Sequence, residues 1–472
     1  MNIGIIFKIL GTIFSIMLCV FLCGTAAAFL LGDDIIPFAL SAGLSLVCAV
    51  FFRLIARIRN VSISKKDAYL SVVLAWLSIC LIGTMPYLFL AHDIAFTDAF
   101  FESVAGFTTT GASVLPDYVL NDLPKSFLFW RCFSNWIGGI GVVMIVIVII
   151  PSLNAGGYKL FSLESSTQGK MLPRINEMVW RFIFIYLCMT IIGMALLYIG
   201  GMKIFDSICY GLSTISTGGS STDDVTSFSS YCQYIMIILM AMGGTSFGIF
   251  YAFAKGRFKR IWHNEELQAY WLLIIFASIL ASGLLLWKTD WDPEHAIREG
   301  IFSIVSVVSC TGLSASEFNS YPVAISTILF ILMFVGGCSG STSGGIKIFR
   351  FVILFKNIRL ILDSILHPNH IKKIKFNEKV IDNNMNITVL LFIFLYVLMV
   401  LIGSLILVFL GIDGKEAFNA IAMSMSSFGI TFGDLSTYST PVRMILCFFM
   451  ILGRLEIYPM LILFMPNFWK KL

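Results

Sequence analysis

Four stretches decide the fold: DAFFESVAGFTTTGAS at residues 98–113, FDSICYGLSTISTGGSS at 205–221, EGIFSIVSVVSCTGLSAS at 299–316 and EAFNAIAMSMSSFGITFGD at 416–434. Each is semi-apolar, too short to cross a bilayer, and ends in a glycine-rich turn. Aligned on Gly111, Gly218, Gly312 and Gly429, an acid stands thirteen residues earlier in three copies (Asp98, Glu299, Glu416) and twelve earlier in the second (Asp206). Thr110, Thr217 and Thr311 directly precede their glycines, and the fourth copy has Phe428. Each stretch lies between two long apolar runs. The repeating unit is therefore outer helix, short helix, turn, inner helix, four times over.

The acid near the start of each short segment suits the positive end of a helix dipole. The helix then enters the membrane with its carbonyl end toward the centre. The turn that follows is not helical, and irregular backbone at membrane depth survives only where it lines a wet cavity or is buried in protein. Glycine lets successive carbonyls face one way. Four such turns about one axis would form a ring of carbonyl oxygens able to replace an ion's hydration shell. No Arg or Lys ring accompanies the turns, which disfavours an anion pore.

Composition agrees. Apolar residues make up 58% of the 472 and charged residues 12%, against about 45–50% and about 25% in an ordinary soluble domain. Mean hydropathy is +0.91. Disorder, a secreted disulfide scaffold and a nucleic-acid-binding domain are excluded. The lipid bilayer is the solvent, with no nucleic acid as partner. Runs long enough to span fall at 4–31, 35–57, 67–91, 127–150, 178–200, 231–254, 267–288, 323–356, 385–411 and 441–466. The first run also fits a signal peptide, with Lys8 as its basic region and Ala26 to Ala28 resembling a cleavage site; a retained helix is the preferred reading. The expected organisation is an amino-terminal two-helix region (1–65), pore repeat 1 (66–157), pore repeat 2 (158–262), pore repeat 3 (263–362), and a cytoplasmic linker with pore repeat 4 (363–472).

Lys and Arg set the orientation. With both termini inside, the inner side holds 24 of the 32 basic residues and 8 of the 27 acids, a net of +16, while the outer side nets −11. An acidic outer face (Asp33, Asp34, Asp93, Asp117, Asp223, Asp224, Asp290, Asp292, Glu317) concentrates cations at a mouth; it is equally what a basic inner bias leaves behind. Arg454 and Glu456 stand within the last span. A charge there costs roughly 2.5–3.5 kcal/mol or more and faces a cavity or a partner. Residues i and i+2 point apart on a helix, so these two do not pair with each other. The alternative for Arg454 is an ion pair with an acid elsewhere.

The eleven cysteines show no C-x-x-C spacing and read as buried apolar residues. His367 and His370 form an H-x-x-H pair with no further ligand in view. The chain needs no cofactor. Gly337–Cys338–Ser339–Gly340 matches the G-x-S-G of intramembrane serine proteases, but every histidine lies outside the spans, so Ser339 lacks a base and no enzyme is expected. An Na+- or H+-coupled secondary transporter is the other reading. Such proteins use broken helices and midplane carboxylates, and Glu456 is the one acid placed in a span.

At these residues the chain resembles the TrkH/KtrB subunits of the Trk/Ktr/HKT superfamily of potassium transporters, most closely the TrkH branch. The resemblance rests on FESVAGFTTTGASVL (101–115), FWRCFSNWIGGIG (129–141), STGGSST (216–222), SCTGLS (309–314), VGGCSGSTSGGIK (335–347) and GRLEIYPMLILFMPNFW (453–469), and runs from about residue 66 to the end. It implies a multi-pass subunit of a bacterial inner membrane, with an amino-terminal helix pair and four pseudo-symmetric repeats around one central pore. K+, and Rb+ with it, would pass in single file. The resemblance further implies a homodimer and a cytoplasmic nucleotide-binding regulatory subunit of the TrkA/KtrA type. The implied filter is Thr109–Thr110–Gly111, Ser216–Thr217–Gly218, Cys310–Thr311–Gly312 and Ser427–Phe428–Gly429, with K+ near Thr110, Thr217, Thr311 and Gly429. The fourth turn departs from the family's N-x-G-P-G-x-G: Gly429 is kept and the second glycine becomes Thr431. In plant relatives a serine at a filter glycine goes with Na+ transport, so four retained glycines favour K+. Arg454 would lie below the filter as a barrier. Gly336, Gly337, Ser339, Gly340, Ser341, Gly344, Gly345 and Lys347 would belong to an intramembrane gate loop; a glycine-mediated helix crossing is the plainer reading of those residues. The basic linker 356–384, with Lys372, Lys373, Lys375 and Lys379, and the 152–177 loop are candidate regulator contacts, and the linker alternatively serves lipid headgroups or retention.

Overall fold

The computed structural model describes residues 2–56, 64–90, 94–148, 171–316, 321–367, 373–429 and 435–470. Helices Ile3–Leu31 and Ile36–Ile55 form an antiparallel pair on one side of the molecule. Gly24 of the first lies so close to Phe38 of the second that a Cβ there would meet its ring at 2.9 Å. Phe21 stacks on Trp130 of the body at 5.2 Å.

The body follows the expected unit four times. The outer helices are Lys65–Gly83, Met171–Ile199, Glu265–Lys288 and Asn383–Phe409. The short helices are Phe96–Phe107, Ile204–Ile215, Pro293–Val308 and Gly414–Ser426. The inner helices are Lys125–Val148, Ser230–Gly243, Val323–Leu332 and Thr440–Arg454. Helix one carries a full capping box, Ser64 with Asp67, and Asn264 caps helix Glu265–Lys288. Outer helices show lipid-compatible faces such as Ile191, Ile192 and Ile279. The first short helix is buried without a break from Ala99 to Phe107. Each short helix packs between inner helices, and the first touches both the first and the fourth. The arrangement therefore closes on itself.

Six described helices are long and apolar enough to cross a membrane, or seven if the pair Ser230–Gly243 and Phe247–Ala254, bent by 97°, counts as one. The remaining apolar runs include two inner helices that are interrupted. In the third, Val323–Leu332 is followed by a loop and then by helix Ile348–Leu366. In the fourth, Thr440–Arg454 stops before Tyr458–Leu463, with Glu456 and Ile457 at φ 57° and 59° between them.

Two expectations need correction. Glu299 is not at a helix start. The third short helix begins at Pro293, capped by Asp292, with Glu294 as its first-turn acid. Glu299 is wholly buried and accepts from the Tyr321 hydroxyl. The linker 356–384 is also more than a connection. Lys375–Phe376 pairs with Lys379–Val380 in a hairpin whose turn residues Asn377 and Glu378 have positive φ. Asn377 Oδ1 accepts the Glu265 N–H at 2.8 Å, which ties the hairpin to an outer helix. His370, Lys372 and residues 152–170 lie outside the described residues.

Glu102 has no distinguishing signature in its local sequence. It is 3% exposed and sits on the first short helix. It accepts from Arg131 Nε (3.3 Å), Ser113 Oγ (2.5 Å) and the Val114 N–H (3.0 Å). One carboxylate thus joins the short helix, the segment beyond its turn and an inner helix. Removing one member of a buried pair costs about 3–5 kcal/mol because the other charge is stranded. Glu102→Leu should lower the melting temperature of the purified protein sharply, whereas the exposed Glu416→Gln should leave it within error.

Candidate ion pathway

Each short helix ends in the same cap. An N–H bonds five residues back: Thr110 to Ala105, Gly218 to Ser213, Thr311 to Ser306 and Phe428 to Met423, at 2.9, 3.0, 2.8 and 3.1 Å. This is a Schellman-type closure, and the residue before each of these donors is left-handed. Those residues are Thr109, Thr217, Cys310 and Ser427, with φ of 55°, 53°, 58° and 55°. None is glycine. A non-glycine residue there costs about 1–3 kcal/mol and persists only where the surroundings over-determine it.

The caps correct the alignment of the second turn. Thr217 matches Thr109, so Gly219, not Gly218, matches Gly111, Gly312 and Gly429. Ser216 belongs to the end of the helix, beside Thr108, Ser309 and Ser426. With Gly219 as reference, the acid stands thirteen residues earlier in all four copies: Asp98, Asp206, Glu299, Glu416. The apparent twelve came from choosing the wrong member of a Gly-Gly pair. It also leaves an alternation. Turns one and three carry Thr110 and Thr311, whose hydroxyls meet Thr108 Oγ1 (2.9 Å) and Ser309 Oγ (2.7 Å). Turns two and four carry Gly218 and Phe428 at that place.

The four glycines close a ring. A Cβ on Gly111 would lie 1.9 Å from the Gly218 oxygen, on Gly219 2.0 Å from the Thr311 oxygen, on Gly312 2.5 Å from the Gly429 nitrogen, and on Gly429 2.5 Å from the Thr110 oxygen. Turn one meets two, two meets three, three meets four and four returns to one. Every neighbour is backbone and cannot move aside as a side chain can. Gly111, Gly219 and Gly312 also hold φ of 71°, 72° and 78°, a region that favours glycine. Thr109 Oγ1 and Ser427 Oγ are buried without a protein partner among the described residues. Residues 430–434, including Ile430, Thr431, Phe432 and Gly433, lie outside the described residues.

Beneath the ring a glycine pair recurs in three quadrants, Gly138–Gly139, Gly243–Gly244 and Gly336–Gly337, and the fourth has Gly453–Arg454; only the third pair was singled out from the sequence. The first member follows its ring glycine by 27 residues in the first copy and 24 in the others. In three quadrants it lies against the carbonyl that ends a short helix. A Cβ at Gly138 would meet Phe107 O at 2.1 Å, at Gly243 Ile215 O at 2.9 Å, and at Gly453 Met425 O at 2.1 Å. In the third quadrant Gly336 instead meets Gly344 O at 2.0 Å. The loop has taken the carbonyl's place.

Arg454 stands where the other quadrants have their second glycine. It is 5% exposed. Nη1 donates to Thr342 O (2.8 Å) and Nη2 to Gly138 O (3.3 Å). Among the described residues no carboxylate pairs with it. Glu456 turns the other way and pairs with Arg350 at 2.5 Å. Arg350 also lies over the Phe392 ring at 3.6 Å. The one acid placed in a span is thus already matched.

The loop 335–347 is held from several sides. Val335–Gly336 pairs in parallel with Ile346–Lys347. The Thr342 hydroxyl lies 3.1 Å from both Ile215 O and Gly243 O, and 3.2 Å from Thr217 Oγ1. The N–H groups of Cys338 and Phe247 reach Gly244 O (2.8 Å) and Gly340 O (3.1 Å). A Cβ at Gly344 would meet Ser426 O at 2.2 Å. Lys347 is buried and donates to Ser343 O and to Ser343 Oγ at 3.2 Å. Ser341 Oγ accepts in turn at 3.5 Å. Gly337 and Gly345 fall inside the same tight crossing. Ser339 gives its N–H to Glu266. Among the described residues no histidine bonds to its hydroxyl.

The register has a direct test. The neighbour of Gly218 is the Asn135 side chain, with Cβ to Cβ at 2.5 Å, whereas that of Gly219 is backbone. Gly218→Ala should impair cation uptake and be substantially rescued by Asn135→Gly. Gly219→Ala should not be rescued. Equal rescue of both would restore the other alignment.

Comparison with known proteins agrees with this architecture. The TrkH family, described as cation transport protein, matches residues 47–471. The Trk system potassium uptake protein TrkH of Vibrio parahaemolyticus is 31% identical over 99% of each chain. TrkG, a Trk system potassium uptake protein of Escherichia coli K12, is 30% identical over 87% of each. The crystal structure of the potassium transporter TrkH from Vibrio parahaemolyticus superposes over the whole of both chains with a TM-score of 0.92 at 30% identity. With a family match across nine-tenths of its length, a common fold and no enzyme among these relatives, this polytopic helical chain belongs to the TrkH family of cation transport proteins.

Proposed function

We propose that the chain is the membrane subunit of a potassium uptake system and that K+ passes through the ring of four turns. The observation that carries this reading is the closed ring of backbone at the meeting point of four helix carbonyl ends. Those ends direct negative potential inward, and main-chain oxygens of the turns can replace an ion's hydration shell. Thr109–Thr110–Gly111, Thr217–Gly218–Gly219, Cys310–Thr311–Gly312 and Ser427–Phe428–Gly429 form the filter, with the orphan oxygens of Thr109 and Ser427 as further ligands.

Arg454 is the pore barrier. Its charge lies among backbone carbonyls with no matching acid, so it opposes an ion below the ring and keeps binding weak enough for exit. The loop from Gly336 through Lys347 is the gate, because Thr342 and Gly344 press against the carbonyl ends of the second and fourth short helices. The system works as a homodimer in a bacterial inner membrane with both termini inside. A cytoplasmic nucleotide-binding subunit of the TrkA/KtrA type acts on the inner face, where the hairpin at Lys375–Val380 offers basic residues.

Expression in a bacterium lacking K+ transport tests the reading. Growth at low K+ and uptake of K+ and Rb+ over Na+ should be restored, and Gly111→Ser or Gly312→Ser should abolish that preference. Well-expressed protein that fails to rescue growth would overturn it. Arg454→Gln should raise flux about ten- to a hundredfold, since removing one unit charge beside an ion lowers the barrier by about one to two powers of ten in rate. Unchanged flux in folded protein would remove the barrier role.

A further inference from the structure

Three outer helices each bury a tyrosine beside an inner helix: Tyr186, Tyr270 and Tyr396, all 2% exposed or less. Tyr186 precedes ring glycine Gly219 by 33 residues, and Tyr396 precedes Gly429 by the same 33. The Tyr186 hydroxyl donates to Trp136 O at 3.1 Å, two residues before Gly138. The Tyr270 hydroxyl donates to Ala241 O at 3.1 Å, two residues before Gly243. Tyr186 and Tyr270 therefore hold the corresponding carbonyls of the first and second inner helices.

The matching acceptor for Tyr396 is the Phe334 carbonyl, two residues before Gly336. The two rings are neighbours, with centroids 6.4 Å apart. Yet that carbonyl is aimed into the loop, at the Ile346 N–H (3.0 Å) beside the parallel pair that closes it, and it makes no bond with the Tyr396 hydroxyl. The Tyr396 hydroxyl is buried without a protein partner among the described residues. A buried hydroxyl left unmatched destabilises the arrangement that strands it.

We infer that Tyr396 is a positioning residue for the gate: as the loop withdraws and the Ile346 N–H leaves, the Tyr396 hydroxyl takes the Phe334 carbonyl. The third inner helix then gains the bond that the first two already have. The inference rests on reading 336–347 as the gate. Its effect has one sign. The unmatched hydroxyl disfavours the seated loop, and the new bond favours the withdrawn one, so both shift the population toward conduction.

The test is Tyr396→Phe, alone and in a chain lacking residues 337–345, where Ile346 follows Gly336 directly and the parallel pair of Val335 with Ile346 cannot form. In the intact chain Tyr396→Phe should cut Rb+ uptake about tenfold, the population shift a single hydrogen bond supports, and should raise the melting temperature. Tyr186→Phe and Tyr270→Phe, which lose bonds already made, should lower it. In the shortened chain Tyr396→Phe should leave uptake unchanged and lower the melting temperature instead. Unchanged uptake in the intact chain, or the same melting shift in both backgrounds, would overturn the role of Tyr396. If the deletion alone leaves uptake as in the intact chain, the gate reading fails, and the tyrosine proposal with it.

Discussion

Everything in this molecule answers to the contact of four backbone turns with one another. At that distance a ring residue has no room for a Cβ, and the neighbour it would strike is main chain. Glycine is the sole residue that satisfies both the spacing and, in three turns, the left-handed backbone. The turns arrive there because each short helix is capped by a left-handed residue that is not glycine. Such caps are strained, and they are maintained by the burial of the short helices between inner helices and by carboxylate braces such as Glu102.

The ring passes its constraint downward. The carbonyl that ends a short helix must be met by something without a side chain, and the inner helices supply Gly138, Gly243 and Gly453. Two close-packed glycines weaken a helix, and inner helices two, three and four all stop within a few residues of the pair. In the third quadrant the break has become a loop that reaches across the axis to the second and fourth short helices. In the fourth, the second glycine is Arg454, the one long side chain at that level, reaching from its own helix to the loop and to the first inner helix. Four equivalent positions have thus come to hold one glycine pair within a continuous helix, one at a bend of 97°, one loop and one charge.

The fourfold plan and the place of Arg454 within an apolar run were legible because they depend on composition and spacing: semi-apolar stretches too short to span, acids near a fixed distance, one arginine among apolar residues; the start of the third short helix was not, since its capping Asp292 lies seven residues before the acid that the spacing picked out. What misled was Gly218–Gly219, where two adjacent glycines left the register open and only the backbone angle at Thr217 settles it. Glu102 and Tyr396 were not legible at all. A buried acid inside FESVAGF looks like any helix-start acid, and an unmatched hydroxyl is a property of its surroundings.

By itself the sequence determined the class of the molecule and three of the four glycines that an approach of bare backbone requires. Those follow from transfer energies and from the absence of a Cβ, which are local to each residue. Only the tertiary structure decided that the turns close in order into a ring, that Glu456 belongs to Arg350 and Arg454 to two carbonyls, and that the Tyr396 hydroxyl is buried without a protein partner among the described residues. Those are pairings between residues tens to hundreds of positions apart, and no local preference specifies which buried polar group will find which partner.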